Sequence, residues 1–369
     1  MIGIKNAVLI TGASGYIGSN LVEGLIQSGF DVIGVDKKKG ERCPEWVEIA
    51  KKNGLQNSYI HFKVDLLHKE QTIKLIETLK NKCIEVMAII HLACLADVSQ
   101  SKRNPAKTIG ENLLITQNVM LMVERLRPDR VIYANSCMAT TDYNSEGWNA
   151  YGYSKALCHD SILNNLMFSD TTYISIILTN PIGCLKYIKK DRGLPAKIAN
   201  AITHDGVLRL SVGNNKGEHD EVYKRNFVSI YEVIGCFIHA LTAYIYSKDV
   251  TIYCGSIDKN CSRFPLYAVT QFAEYCVFDK YVRITYVKPK ENEMTDIKVA
   301  NIEVLLPQDN WYENFLNDIP LSLLNFKDKN IRKIKEILEK ERDHLAEPSV
   351  RFELLKRCIL VNSDVTTQI

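Results

Sequence analysis

Tyr151 and Lys155 stand four residues apart in the run Tyr151-Gly152-Tyr153-Ser154-Lys155. On a helix that spacing puts both side chains on one face. An ammonium beside a phenol stabilises the phenolate and draws its pKa down from about 10. Such a pair is an acid–base couple, able to move a proton to or from a hydroxyl near neutral pH. Ser136, in Asn135-Ser136-Cys137-Met138, adds a hydroxyl suited to holding the reacting oxygen beside Tyr151. By itself Ser136 also reads as a turn or cap residue. A Tyr-x-x-x-Lys spacing arises by chance in a chain with 18 tyrosines, so its weight rests on where the two residues fall.

A second run carries a different chemistry. Thr11-Gly12-Ala13-Ser14-Gly15-Tyr16-Ile17-Gly18 lies between an apolar run and a helical pattern. Glycines 12, 15 and 18 allow a tight turn and let backbone N–H groups approach a pyrophosphate, with the helix N-terminus adding partial positive charge. A glycine triplet is weak evidence alone, but the strand–turn–helix context is what a dinucleotide site requires. Asp36 ends the next apolar run. A carboxylate there accepts hydrogen bonds from ribose hydroxyls and repels a 2′-phosphate, which favours NAD over NADP. The competing reading is a glycine turn with a surface Asp.

These residues need a scaffold, and the sequence spells one out. Short apolar runs at Asn6–Thr11, Asp31–Asp36, Tyr59–Lys63, Val86–Leu92, Arg130–Ala134 and Tyr173–Leu178 read as strands. Helical patterns at Tyr16–Gln27, Glu70–Lys80, Pro105–Arg127 and Tyr151–Met167 separate them. Such alternation implies an α/β fold with a doubly wound parallel sheet. Ser136 then falls just past the fifth strand, and Tyr151 opens the helix after it. Beyond Pro181 the rhythm changes to shorter strands and longer loops. Residues 1–180 are expected to form the cofactor domain, with 226–255 returning to it. Residues 181–369 are expected to form a smaller mixed α/β substrate domain. Asn330–Glu341 and Ser349–Leu360 read as amphipathic helices, and Ser363–Ile369 as a frayed tail.

Composition narrows the function classes. The 369 residues carry 46 Lys plus Arg against 43 Asp plus Glu, a formal charge of +3. That balance gives no sign of a nucleic-acid partner. No apolar stretch reaches the roughly 18 residues of a membrane span, and Tyr231–Ser247 reads as a buried helix. No signal peptide is evident. The 11 cysteines include no Cys-x-x-Cys pair, and the 8 histidines show no metal-ligand spacing. Zinc and a disulfide framework are therefore not expected, and a reducing, cytoplasmic location is. His91 reads as a structural turn residue, and His159 as a residue of the helix surface.

Taken with their context, the two runs resemble the extended short-chain dehydrogenase/reductases, the NAD-dependent sugar-nucleotide epimerase/dehydratase family, and within it the 4-epimerases. The resemblance spans roughly residues 5 to 300 and implies a Rossmann-like fold. It implies that Gly12, Ser14, Gly15, Tyr16, Ile17, Gly18 and Asp36 hold NAD. Asp65 and Leu66 resemble the adenine contact, and His91-Leu92-Ala93 the fourth-strand turn along the cofactor. Asn112 resembles the family's helix asparagine. Thr179-Asn180-Pro181-Ile182-Gly183 is similar to its Phe-Asn-Pro-x-Gly, which puts Asn180 on the sugar nucleotide and Pro181 by the nicotinamide. Arg225-Asn226-Phe227-Val228 resembles Arg-Asp-Tyr-Ile, and Tyr253-Cys254-Gly255 a Tyr-Asn-x-Gly strand end. Lys290-Glu291-Asn292-Glu293 falls where Arg-x-Gly-Asp is usual. Arg225 and Lys290 would thus bind diphosphate, and Glu293 the uridine ribose. The helices Pro105–Arg127 and Tyr151–Met167 correspond to those with which the family pairs into homodimers. Their Leu113, Leu121, Leu157 and Leu163 also suit packing on the chain's own sheet.

The chemistry implied is reversible hydride transfer through a transient 4-keto sugar. Tyr151 would take the proton from the 4-hydroxyl, Lys155 would bind the nicotinamide ribose and lower the Tyr151 pKa, and Ser136 would orient the oxygen. A UDP-sugar 4-epimerase leads. A 4-dehydrogenase or 4-ketoreductase shares all of these residues and is the alternative. A 4,6-dehydratase is less favoured, because Cys137 and Met138 occupy the places of its Asp-Glu pair. The segment between Ser136 and Tyr151 is shorter than in these epimerases and has Ala139-Thr140-Thr141 after the serine turn, where Val-Tyr-Gly is usual. Lys290 in place of Arg keeps the charge but loses the planar two-pronged donor.

Overall fold

The computed structural model describes residues 4–40, 59–140, 149–182, 207–211, 224–243, 247–254, 263–265 and 283–287. Its first strand, β1 (Ala7–Thr11), is wholly buried and feeds helix α1 (Tyr16–Gln27). Then follow β2 (Val32–Asp36), β3 (Tyr59–Lys63), α2 (Lys69–Asn81) and β4 (Val86–His91). A short helix, α3 (Val98–Arg103), precedes α4 (Pro105–Leu126), with Pro105 in its first turn. β5 (Arg130–Ser136) runs into a single 3₁₀ turn, Cys137–Thr140, and α5 (Ala150–Leu166) leads to β6 (Thr172–Leu178). β7 (Asn180–Ile182), β8 (Val207–Ser211), β9 (Lys224–Ser229), α6 (Ile230–Thr242), β10 (Asp249–Cys254), β11 (Arg263–Pro265) and β12 (Arg283–Val287) complete the order.

The main sheet has seven strands in the order β10-β6-β5-β4-β1-β2-β3, and every pairing in it is parallel. The chain first winds outward through β1, β2 and β3, then crosses back to β4 and winds the other way. That reversal makes a crevice between β1 and β4 at the carboxyl ends of the strands, where open α/β sheets bind ligands. The fold is thus the Rossmann-like α/β sheet that the alternation predicts. The strands are apolar on both faces because both are covered. One buried cluster joins β1, β5 and β6 to α1 and α6 through Val8, Ile10, Leu21, Leu25, Ile132, Ile176 and Phe237. The other joins the opposite face to α2, α4 and α5 through Leu9, Ile89, Leu79, Val119 and Ile162.

Several boundaries differ from the sequence reading. β5 runs two residues further than the apolar pattern, so Ser136 is its last residue rather than lying just past it. α3 is unannounced by hydrophobic spacing; Asp97 caps it, its carboxylate accepting from the Gln100 N–H at 2.9 Å. The return to the main sheet starts with α6 and not at Asn226, because β9 pairs with β7 and β11 in a separate three-stranded sheet. The buried helix read from Tyr231 is present as Ile230–Thr242. β8 and β12 form a parallel pair. Lys290, Glu293, the helices read at 330–341 and 349–360, and the tail lie outside the described residues.

Candidate active site

The glycine turn closes the β1 side of the crevice. Gly12 adopts φ +74°, and a Cβ there would lie 2.9 Å from the Ala93 nitrogen, so only glycine lets the β1 and β4 turns touch. A Cβ on Gly18 would run into the Gly12 carbonyl. Helix α1 starts at Gly15 with no side-chain cap. Its first-turn N–H groups have no acceptor within the helix, which is the arrangement that receives anions. Asp36 reaches back to this turn, its Oδ2 accepting from the Ser14 N–H at 3.0 Å and its Oδ1 from the Lys38 N–H at 2.9 Å. The Ser14 hydroxyl is buried and has no hydrogen-bond partner among the described residues. A glycine-rich turn, an uncapped helix end, an orphan hydroxyl and an inward carboxylate fit a dinucleotide. Asp65 and Leu66 follow β3 on the same edge. The Asp65 carboxylate accepts from Leu67 N–H, and the Leu66 carbonyl accepts from Asn118.

The catalytic candidates lie across the crevice. Asn149 caps α5, accepting from the Gly152 N–H at 2.9 Å, and thereby sets Tyr151 in the first turn. The Ser136 hydroxyl lies near enough to Tyr151 to favour its phenolate, and it receives the Met138 N–H at 3.2 Å. Burial pushes the Tyr151 phenol above its ordinary 10, with the Cys94 thiol beside it adding to the rise and Ser136 opposing it. This corrects the expectation that the Lys155 charge would draw Tyr151 down. Lys155 is buried, and its Nζ sits 4.2 Å over the ring of Tyr133. Desolvation acts on the phenol directly, while the ammonium faces another ring.

Behind these residues runs a buried polar chain that the sequence did not announce. Thr11 Oγ1 receives the N–H groups of Leu92 and Ala93, each at 3.2 Å, and stands 2.9 Å from His91 Nδ1. His91 Nε2 lies 3.1 Å from Thr116 Oγ1, which donates to the Asn112 carbonyl. The direction follows: Thr116 spends its proton on the carbonyl, so Nε2 carries the His91 hydrogen and Nδ1 accepts from Thr11. Burial and the nearby Lys155 charge lower the His91 pKa to about 3, so the ring is neutral. The Asn112 amide receives Leu95 N–H at 2.7 Å and donates to Ser154, whose hydroxyl caps the Tyr151 carbonyl. The turns after β1 and β4 and the helix α5 are thus hydrogen-bonded into one unit. The local clues were a polar residue closing an apolar strand (His91) and a Thr four after an Asn (Thr116).

His159 faces inward, bonding Tyr173 at 2.6 Å, rather than lying on the helix surface. Asn180 and Pro181 are half-buried at the start of β7. Asn180 pairs with Phe227, two residues beyond Arg225 on β9. Among the described residues, no cluster of His, Cys, Asp or Glu could hold a metal, and no helix is long and apolar enough to cross a membrane.

A doubly wound parallel sheet with a glycine turn and an inward Asp at its switch point defines an NAD-dependent enzyme. The chain belongs to the NAD dependent epimerase/dehydratase family, whose model matches residues 8–253. It is similar to the UDP-glucose 4-epimerase of Dictyostelium discoideum, 25% identical over 263 residues, or 66% of this chain and 74% of that one. Among solved structures it resembles the UDP-glucose 4-epimerase of Thermotoga maritima with UDP-glucose. There the TM-score is 0.66 at 15% identity, over 98% of this chain and 100% of that one. The Bifidobacterium longum UDP-glucose 4-epimerase with NAD+ and UDP gives a TM-score of 0.65 at 15% identity, over 79% and 89% of the chains. NAD is the cofactor of this family and of this enzyme.

Proposed function

We propose that this enzyme is a UDP-sugar 4-epimerase that works through a transient 4-keto sugar. The observation that carries the reading is the placement of Ser136 at the end of β5 with Tyr151 and Lys155 one helical turn apart on α5, at the carboxyl edge of the sheet that carries the glycine turn. Gly12, Ser14, Gly15, Tyr16, Ile17 and Gly18 would hold the pyrophosphate, and Asp36 the adenosine ribose. Asp65 and Leu66 would flank the adenine. Leu92, Ala93, Asn112 and Pro181 would line the remainder, with Tyr151 and Lys155 at the nicotinamide ribose. When bound, NAD supplies the acceptor and donor of the hydride at sugar carbon 4.

The chain's own residues handle the proton. Tyr151 takes it from the 4-hydroxyl and gives it back after the keto sugar has turned in the site. Ser136 fixes the oxygen against Tyr151. Burial disfavours the Tyr151 phenolate. Tyr151 would act as the base once positive charge is brought beside it, which the nicotinamide of the bound cofactor would supply. Asn180, Arg225, Lys290 and Glu293 would hold the nucleotide sugar.

Residues 1–180, joined by α6 and β10, would form the cofactor domain, with the remainder of 181–369 covering the substrate. A homodimer through α4 and α5 is supported by their mutual packing and by the exposed Leu114 and Tyr153 on them. The described cysteines are free thiols, which suits a cytoplasmic enzyme. The test is NMR of purified protein with UDP-, GDP-, dTDP- and CDP-sugars, with and without added NAD. Conversion of one UDP-sugar to its 4-epimer with no net NADH is expected. Stoichiometric NADH would instead make it a 4-dehydrogenase, and loss of water a dehydratase.

A further inference from the structure

Beyond Asp36, β2 runs into three exposed lysines, Lys37, Lys38 and Lys39. A basic triplet beside the adenosine ribose is an odd neighbour for a site that should reject a 2′-phosphate. The Lys38 peptide is held from both sides. Its N–H donates to Asp36 Oδ1 at 2.9 Å, and its carbonyl lies 3.0 Å from His61 Nε2. A carbonyl only accepts, so Nε2 carries the His61 proton. Nδ1 is then the acceptor for the Tyr59 hydroxyl, 2.8 Å away. Two glycines make room for this relay. A Cβ on Gly34 would collide with the Tyr59 hydroxyl, and one on Gly40 would lie 2.6 Å from the His61 ring. The strand exit therefore wraps flat around the imidazole, and β2 and β3 are in parallel register with Gly34 opposite His61.

We propose that Tyr59 and His61 are positioning residues for cofactor choice: by pinning the Lys38 carbonyl they hold Asp36 towards the ribose and keep the Lys37–Lys39 triplet from swinging onto a 2′-phosphate. This rests on the reading of Asp36 as the ribose ligand. The unclamped loop would lose aim on the ribose diol and bring positive charge to where NADP carries its extra phosphate. The two errors act on NAD and NADP in opposite directions, so the selectivity ratio is the sensitive readout.

The experiment measures dissociation constants for NAD and NADP on the full chain carrying His61→Phe, His61→Gln, Tyr59→Phe, Asp36→Ala, and His61→Phe with Asp36→Ala. Loss of one hydrogen bond corresponds to about tenfold, so the preference for NAD should fall about tenfold in His61→Phe. It should fall less in Tyr59→Phe, which removes only a hydroxyl and covers the case in which His61→Phe fails to fold. His61→Gln, able to donate to the Lys38 carbonyl, should recover part of the preference. In the Asp36→Ala background His61→Phe should leave NAD binding unchanged and add only the gain in NADP affinity that the freed lysines bring. An unchanged ratio in Asp36→Ala would overturn the reading of Asp36 and the proposal with it. A changed ratio there, with none in His61→Phe and Tyr59→Phe, would overturn the proposal alone. Equal weakening of both cofactors in His61→Phe would also overturn it.

Discussion

The two sides of the crevice between β1 and β4 are built differently. On the β1–β2 side, the candidate site is written in backbone: a positive-φ glycine, an uncapped helix end, and a carboxylate that accepts two backbone N–H groups. On the β4–β5 side it is written in buried side chains from distant segments. Thr11, His91, Thr116, Asn112 and Ser154 form one hydrogen-bonded chain, and Lys155 rests on Tyr133. A backbone device tolerates most side-chain changes nearby and fails only at its glycines. A buried polar chain fails wherever one partner is removed, because the other is left unsatisfied.

That contrast can be broken at its strongest point first. Tyr151→Phe removes the proton carrier and leaves the ring. Turnover should fall about 10²- to 10⁴-fold with NAD binding retained; undiminished epimer formation by NMR would sink the catalytic assignment. Asn112→Ala strands Leu95 N–H and Ser154 inside the protein. It should cost about 1–3 kcal/mol of stability in urea titration. Gly12→Ala forces a Cβ against the Ala93 backbone at φ +74° and should cost about 1–3 kcal/mol, with loss of NAD affinity by calorimetry. Equal tolerance of alanine at Gly12 and at the exposed Gly110 would contradict the backbone account.

A milder test uses pH. The folded His91 has its pKa lowered from 6.5 to about 3, so between those values the unfolded chain binds a proton that the folded one refuses. Its contribution to stability is whole above pH 6.5 and declines as the pH falls towards 3, by about 1.4 kcal/mol per unit. Replacing His91 with Asn should flatten that slope in urea midpoints measured at pH 7 and pH 5. The smallest effect belongs to the surface: Lys107→Ala breaks an i,i+4 pair with Glu111 at 3.8 Å and should change stability by less than about 0.5 kcal/mol.

Legibility in the sequence follows the same divide. β1, the glycine turn and α1 are consecutive in the chain, and Asp36 closes the next strand, so spacing alone located the glycine turn. Tyr151 and Lys155 were visible as a helical pair because one turn of helix relates them. Tyr133 under Lys155 was not, since the two meet only when α5 folds onto the sheet face carrying β5. Nor was the upward push on Tyr151, because burial is a property of the assembled site and not of neighbours in sequence. The return point at Ile230 was blurred for a similar reason. β9 is as strand-like as its neighbours, and only its pairing with β7 and β11 assigns it to the smaller sheet.

Hydrophobic period, glycine placement and the Tyr–Lys spacing by themselves determined the Rossmann-like sheet, the glycine turn between β1 and α1 and the shared helix of Tyr151 and Lys155, because each depends on local backbone geometry. Tertiary structure alone decided the protonation of Tyr151 and His91, the seat of Lys155 and the clamp of His61 on Lys38. Those depend on which groups are removed from water together, and residues far apart in the chain meet only in the packed fold.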